Sequence, residues 1–173
     1  LQAKLGIKGQ AAFDVQAVTQ VPDLPDAATF LFFGTPTGAL SESAPSRELF
    51  RADVNELRMK VKYNPPISGI LLINPDNPTG AVYPKEVLLE IVAIAREYDL
   101  FIVCDEIYIN LTYNGKKSVP LADVINGVCG ISMKGISKEL PWPGARCGWI
   151  EVYNADKDPV FAKYIKSIVD DKM

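Results

Sequence analysis

Residues 67–105 read ISGILLINPDNPTGAVYPKEVLLEIVAIAREYDLFIVCD, and this stretch decides the fold. Ile67 to Ile73 is a short apolar run stopped by Asn74-Pro75, the signature of a buried strand that enters a loop. A second run, Leu100 to Cys104, ends at Asp105. Between them, Val87, Leu88, Ile91, Val92 and Ala95 recur at i, i+1, i+4, i+5 and i+8, one face of a helix over Pro84 to Tyr98. Pro84 suits the first helical turn, because its fixed φ is helical and its missing N–H is not needed there. Strand, helix, strand makes a right-handed βαβ unit, hence a parallel sheet with both faces covered.

Working outward, Val128 to Ser132 reads as a third strand, Arg146 to Val152 as a fourth, and Phe161 to Val169 as a helix. Upstream, Asp53 to Lys62 patterns as an amphipathic helix with Asp53 as its cap. Thr29 to Phe33 patterns as a strand running into Gly34-Thr35-Pro36-Thr37-Gly38. Residues 1–50 are otherwise hard to assign, and residues 51–173 form the recognisable core. The expected fold class is a three-layer α/β/α domain around a mostly parallel sheet.

The 173 residues suit about one domain of roughly 150 residues. A net charge of −3 leaves no basic field for nucleic acid. No apolar run reaches the roughly 18 residues of a membrane span, and no secretory leader is expected. Three widely spaced cysteines without a CxxC pair argue against a disulfide framework or a zinc site, and for a reducing, cytoplasmic setting. Cys104 and Cys147, in or beside apolar runs, read as buried fillers. The residues include no histidine, which excludes a His base, a His metal ligand and a Ser-His-Asp triad within them. Chemistry here has to run on Lys, carboxylates, Tyr and a borrowed cofactor.

In open parallel sheets ligands collect beyond the carboxyl ends of the strands. Those ends carry Asn77, Asp105, Tyr108 and Ser137-Lys138. Singly, each has an ordinary explanation: Asn77 in a turn, Asp105 as a cap, Tyr108 and Lys138 at the surface. Taken together, NPDNPTG at 74–80, DEIY at 105–108, and GISK at 135–138 with Arg146 eight residues after Lys138 resemble the class I/II aminotransferases. The interval of 28 residues from Asn77 to Asp105 agrees as well. The resemblance is firm over Asp53 to Asp171. It implies a pyridoxal-phosphate enzyme of the aspartate-aminotransferase fold, acting on an amino acid and a 2-oxo acid, as a homodimer.

Carried over residue by residue, the resemblance makes Lys138 the Schiff-base lysine and proton carrier. It makes Asp105 the partner of the pyridine nitrogen, which sets the strength of the electron sink. Asn77 and Tyr108 would hydrogen-bond the phenolic oxygen, and Arg146 would grip the phosphate with a permanently charged fork. Gly34 and Thr35, within 34–40, resemble in type the family's phosphate loop at a helix N-terminus. Three departures stand beside this. Gly135 occupies the position where many members carry a phosphate-binding hydroxyl, with Ser132, Lys134 or Ser137 as substitutes. The stretch that holds the ring-stacking aromatic is shortened. The small C-terminal domain with its carboxylate-binding arginine has no counterpart, so a fragment of the large domain is expected. Alternatives are a lyase or synthase on the same fold, or a non-catalytic module. Pro141-Trp142-Pro143-Gly144 is expected to shape the loop that aims Arg146, and Lys157, Lys163, Lys166 and Lys172 a solvated face.

Overall fold

A computed structural model describes residues 16–18, 29–33, 54–77 and 79–170. The helix expected from Asp53 is α1, Val54–Tyr63; Asp53 itself, Gly34, Thr35 and Lys172 lie outside the described residues. The strands are β1 (Gln16–Val18), β2 (Thr29–Phe33), β3 (Ile67–Ile73), β4 (Phe101–Asp105), β5 (Gly130–Gly135) and β6 (Gly148–Tyr153). The helices after α1 are α2 (Lys85–Glu97), the single turn α3 (Ile136–Glu139) and α4 (Pro159–Asp170).

One sheet holds all six strands in the order β1-β2-β3-β4-β5-β6. The pairs from β2 to β5 are parallel, and the edge pairs β1–β2 and β5–β6 are antiparallel. The third strand differs from its sequence reading: it begins at Gly130 and runs on to Gly135. Val128 is held back in a turn, its N–H donating to Ile125 O at 3.0 Å, after Gly127 at φ 76°. At Gly130 a Cβ would lie 2.8 Å from Ile102 O and 2.3 Å from Ile125 Cδ1, so glycine is needed for that loop to close on β4.

Successive side chains of a strand point to opposite faces. Ile70, Leu72, Ile102 and Cys104 share the face that packs on Leu57, Val61, Leu88, Ile91, Val92 and Ala95 of α1 and α2. The helical stripe expected in the sequence is thus the buried one, joined by Ile94, and Pro84 sits one residue ahead of the helix as its cap. An Arg58–Glu97 ion pair ties α1 to α2 across their exposed edge. On the other face Phe101 meets Phe161 of α4, ring centroids 5.5 Å apart. Asp158 opens α4 by accepting the Val160 and Phe161 N–H groups at 2.7 and 3.2 Å. Helices therefore lie on both sides of the sheet. The carboxyl end of the second face, with Ile73, Asp105 and Met133, is only partly covered. Lys157, Lys163 and Lys166 are solvent-exposed as expected.

All three cysteines are free thiols; Cys104 is buried as expected, but Cys147 is exposed. It precedes the edge strand β6, where nothing among the described residues covers it, so its apolar neighbourhood in sequence is not a buried one in space. No described helix is long and apolar enough to cross a membrane.

Burial pushes the Cys104 thiol well up, with the charges of Glu106 and Asp105 adding to the effect. Burial also raises the Tyr83 hydroxyl, assisted by the charge of Asp76. Both groups keep their protons in the fold at pH values where the unfolded chain has lost them. Their stabilising contribution is intact below the ordinary thiol pKa of about 8.5 and declines as pH rises above it. The urea midpoint is expected to fall between about pH 8 and pH 10. A Cys104→Ala variant, whatever its own midpoint, should show a shallower fall over the same range.

Candidate functional site

The site forms where β3, β4 and β5 end together. In register, Ile73 pairs with Asp105 and Asp105 with Met133, so the loops leaving three strands start at one level. The Asn74 N–H donates to Asp105 O and the Glu106 N–H to Met133 O, at 3.0 and 2.9 Å, which carries the ladder one residue into each loop.

After β3, Asn74 is buried and serves structure. Its Oδ1 accepts the Tyr83 N–H at 3.1 Å and its Nδ2 donates to Val119 O at 3.2 Å. Asp76 then organises the turn: it receives the Thr79 hydroxyl at 2.6 Å, and its backbone pairs with Gly80 N and Ala81 O at 2.8 Å each. Gly80 takes φ 68°, which glycine adopts without Cβ strain. Asn77 is lifted out at the exposed tip. Its Nδ2 donates to Tyr108 Oη at 3.4 Å, joining the β3 loop to the β4 loop.

After β4, Asp105 Oδ1 accepts the Ile107 N–H at 3.0 Å. The capping explanation of Asp105 is therefore met by one oxygen, and a carboxylate has further lone pairs for another donor. Tyr108 is half-buried, and the Lys138 ammonium lies 5.9 Å from its ring centroid, within cation–π reach. Asn77, Tyr108 and Lys138 thus come together from two loops and the helical turn α3.

After β5, Gly135 caps α3 in extended backbone. A Cβ there would stand 3.2 Å from Cys147 O, so a side chain at this position would need the residue ahead of β6 to give way by a few tenths of an ångström. Of the three substitutes suggested for a hydroxyl there, two are engaged elsewhere. Ser132 is buried on the α1–α2 face, where its hydroxyl donates to the Tyr153 hydroxyl oxygen at 3.3 Å. Lys134 donates to Glu151 at 2.8 Å and lies 3.6 Å from Glu106. Ser137, on α3 beside Lys138, is half-buried. A 3-10 turn over Pro143–Ala145 packs against α3, and Trp142 N donates to Ile136 O at 3.3 Å. This turn ends at Arg146 with φ 51°, and the guanidinium reaches back to Pro143 O at 3.2 Å. The Pro-Trp-Pro-Gly loop does shape Arg146, which is exposed.

Sequence reading missed the polar group behind the site: Glu106, Lys134, Glu151 and Tyr153. Burial by itself would lower the Lys134 pKa, but the Glu151 hydrogen bond and the Glu106 charge outweigh it and raise it. Hydrogen bonds from Lys134 and Tyr153 hold the Glu151 carboxyl below its usual range. The one available signal was position: Glu106 directly follows Asp105, and Lys134 lies four residues before Lys138.

The family of class I and II aminotransferases matches residues 39–170. The chain belongs to this family. An uncharacterized aminotransferase of Methanocaldococcus jannaschii is 69% identical over 121 residues, covering 70% of this chain and 28% of that protein. The chain therefore spans little more than a quarter of that relative. The solved alanine aminotransferase of Pyrococcus furiosus superposes with a TM-score of 0.60 at 32% identity, over 66% of this chain and 28% of the other. A PLP-bound C-S lyase from Staphylococcus hominis superposes with a TM-score of 0.59 at 25% identity, over 66% and 29% of the two chains.

Asn74→Ala would leave the buried Tyr83 N–H without its acceptor and free the base of the Asn77 loop. The expected cost is about 1–3 kcal/mol, read from urea unfolding.

Proposed function

We propose that this chain is the cofactor-binding portion of a pyridoxal-phosphate-dependent aminotransferase, which moves an amino group from an amino acid to a 2-oxo acid. The observation that carries the reading is the convergence of an amine, an amide and a phenol, from Lys138, Asn77 and Tyr108, beside the strand end that bears Asp105. The donor set fits the cofactor: a nucleophilic amine for an aldehyde, a carboxylate for a ring N–H, neutral hydrogen-bonders for a phenolic oxygen, and a guanidinium for a phosphate. When bound, pyridoxal phosphate supplies the electron sink that stabilises a carbanion at the substrate α-carbon.

The remaining work belongs to the protein. Lys138 would hold the cofactor through its amine and, when that amine is free, would be the base that takes the α-proton and returns it. Asp105 holds the ring nitrogen in its protonated form through a charge-assisted hydrogen bond. Asn77 and Tyr108, already bonded to each other, orient the phenolic edge. Arg146 and Ser137 supply phosphate donors, with Gly34 and Thr35 as further candidates in the upstream loop. Residues 51–173 are the large-domain core in this reading, and the holoenzyme is a cytoplasmic homodimer; the three free cysteines agree with a reducing compartment.

A second reading, elimination at a carbon–sulfur bond, is raised by the likeness to the C-S lyase, although the relatives named as aminotransferases weigh against it. Loss of the α-proton is common to both, so Lys138 and Asp105 serve either. Both leave a 2-oxo acid, so the other products separate them: transamination aminates a second 2-oxo acid, whereas elimination releases a thiol and ammonia.

Mixing the protein with pyridoxal phosphate should give a visible absorbance band, and borohydride reduction should fix the cofactor mass on the peptide containing Lys138. Lys138→Ala should abolish both signals. Asp105→Asn should weaken cofactor retention about tenfold, the equivalent of one charge-assisted hydrogen bond. An adduct on a different lysine, or none, would overturn the assignment.

A further inference from the structure

The carboxylate of Glu106 is fully enclosed, with no exposed side-chain surface, yet it sits one residue from Asp105 and on the opposite face of the sheet. Its Oε1 accepts the Leu121 N–H at 2.6 Å, while Oε2 lacks a hydrogen bond and faces Lys134 Nζ at 3.6 Å. Lys134 in turn donates to Glu151 Oε2 at 2.8 Å. That same oxygen receives the Tyr153 hydroxyl at 2.7 Å, and Trp149 Nε1 reaches Glu151 Oε1 at 3.4 Å. Glu106, Lys134, Trp149 and Glu151, with Asn110 and Glu139, line a hollow of about 210 Å³ at the carboxyl end of β5. Glu139, on α3 beside Lys138, holds the Asn110 backbone N–H and side-chain amide at 2.8 Å each.

The arrangement is weak evidence for stability, since an ion pair with a buried partner is often no better than apolar side chains of equal volume. What it does provide is a direction. The three carboxylates and one ammonium join the strand end that bears Asp105 to the strand end from which α3 and Lys138 spring, and to the edge strand β6. Gly135 follows Lys134 immediately and pairs with Gly148, so the position of Lys134 sets where α3 leaves the sheet.

We infer that Glu106 and Lys134 are positioning residues, which act from behind the sheet to fix Lys138 relative to Asp105. Neither touches the reacting atoms. Their role rests on the pyridoxal-phosphate reading above, and it adds a demand that reading does not make: neutralising both groups should disturb the lysine–cofactor linkage without unfolding the protein.

The test uses the holoenzyme with Glu106→Gln and Lys134→Met combined, so that no lone charge remains buried between them. The expected result is an unchanged urea midpoint with the pH titration of the cofactor absorbance band shifted by about one unit. Lys134→Arg, which keeps the charge, should titrate as the unsubstituted protein does. Should the double variant not fold, Glu106→Gln alone, which keeps an acceptor for the Leu121 N–H, gives the same titration reading. A folded neutral variant whose band titrates like the unsubstituted protein would overturn the positioning role and leave the cofactor reading intact. Absence of the band in the unsubstituted protein would overturn both.

Discussion

The parallel register that sets Ile73, Asp105 and Met133 side by side is the constraint on which the rest depends. Parallel strands bring the starts of their outgoing loops to one edge, so residues far apart in the chain become neighbours without any long side chain having to reach. Asn77 and Tyr108 touch although 31 positions separate them. A slip of one residue in β4 would turn Asp105 toward the α1–α2 face and send Cys104 outward, because the side-chain period of a strand is two. Burial of Cys104 between Leu72 and Ser132 therefore also holds Asp105 on its own side.

The two faces of the sheet divide the labour. The α1–α2 face is closed by Leu57, Leu88, Ile91, Ile94 and their partners, and it supplies the burial that makes the register unique. The opposite face is covered at its lower end by Phe161 and stays partly open where Asp105 lies. Charged groups occur at the carboxyl edge of both faces, but differently. Those behind the sheet pair with one another in a fixed geometry, while Lys138 and Arg146 stand exposed at the front. Paired charges therefore lie behind the edge and exposed ones in front of it.

Much of this was legible in the chain because it is written in local signals. The apolar run at 67–73, the stripe of α2 and the run at 100–104 are periodicities of single segments, and the turn residues of NPDNPTG announce a loop. Family likeness over the 74–80, 105–108 and 135–138 motifs singled out Asn77, Asp105, Tyr108 and Lys138. Cys147 shows where local signals mislead: it adjoins an apolar run, yet β6 is an edge strand and leaves it exposed. The start of β5 was misplaced because Val128 is as apolar as a strand residue, and only the positive φ of Gly127 reveals the turn.

Spacing and residue type determined a parallel α/β core, and motif likeness picked out the lysine, carboxylate, phenol and amide beyond its strand ends. Those properties follow from patterns shorter than a helix and a strand. The folded chain decided what no short pattern contains: the antiparallel turn-back of β6 and its close approach to Gly135. It also decided the enclosure of Glu106 against Lys134 and Leu121. Each of these is a contact between strands or loops distant in sequence, and its geometry exists only once the sheet has assembled.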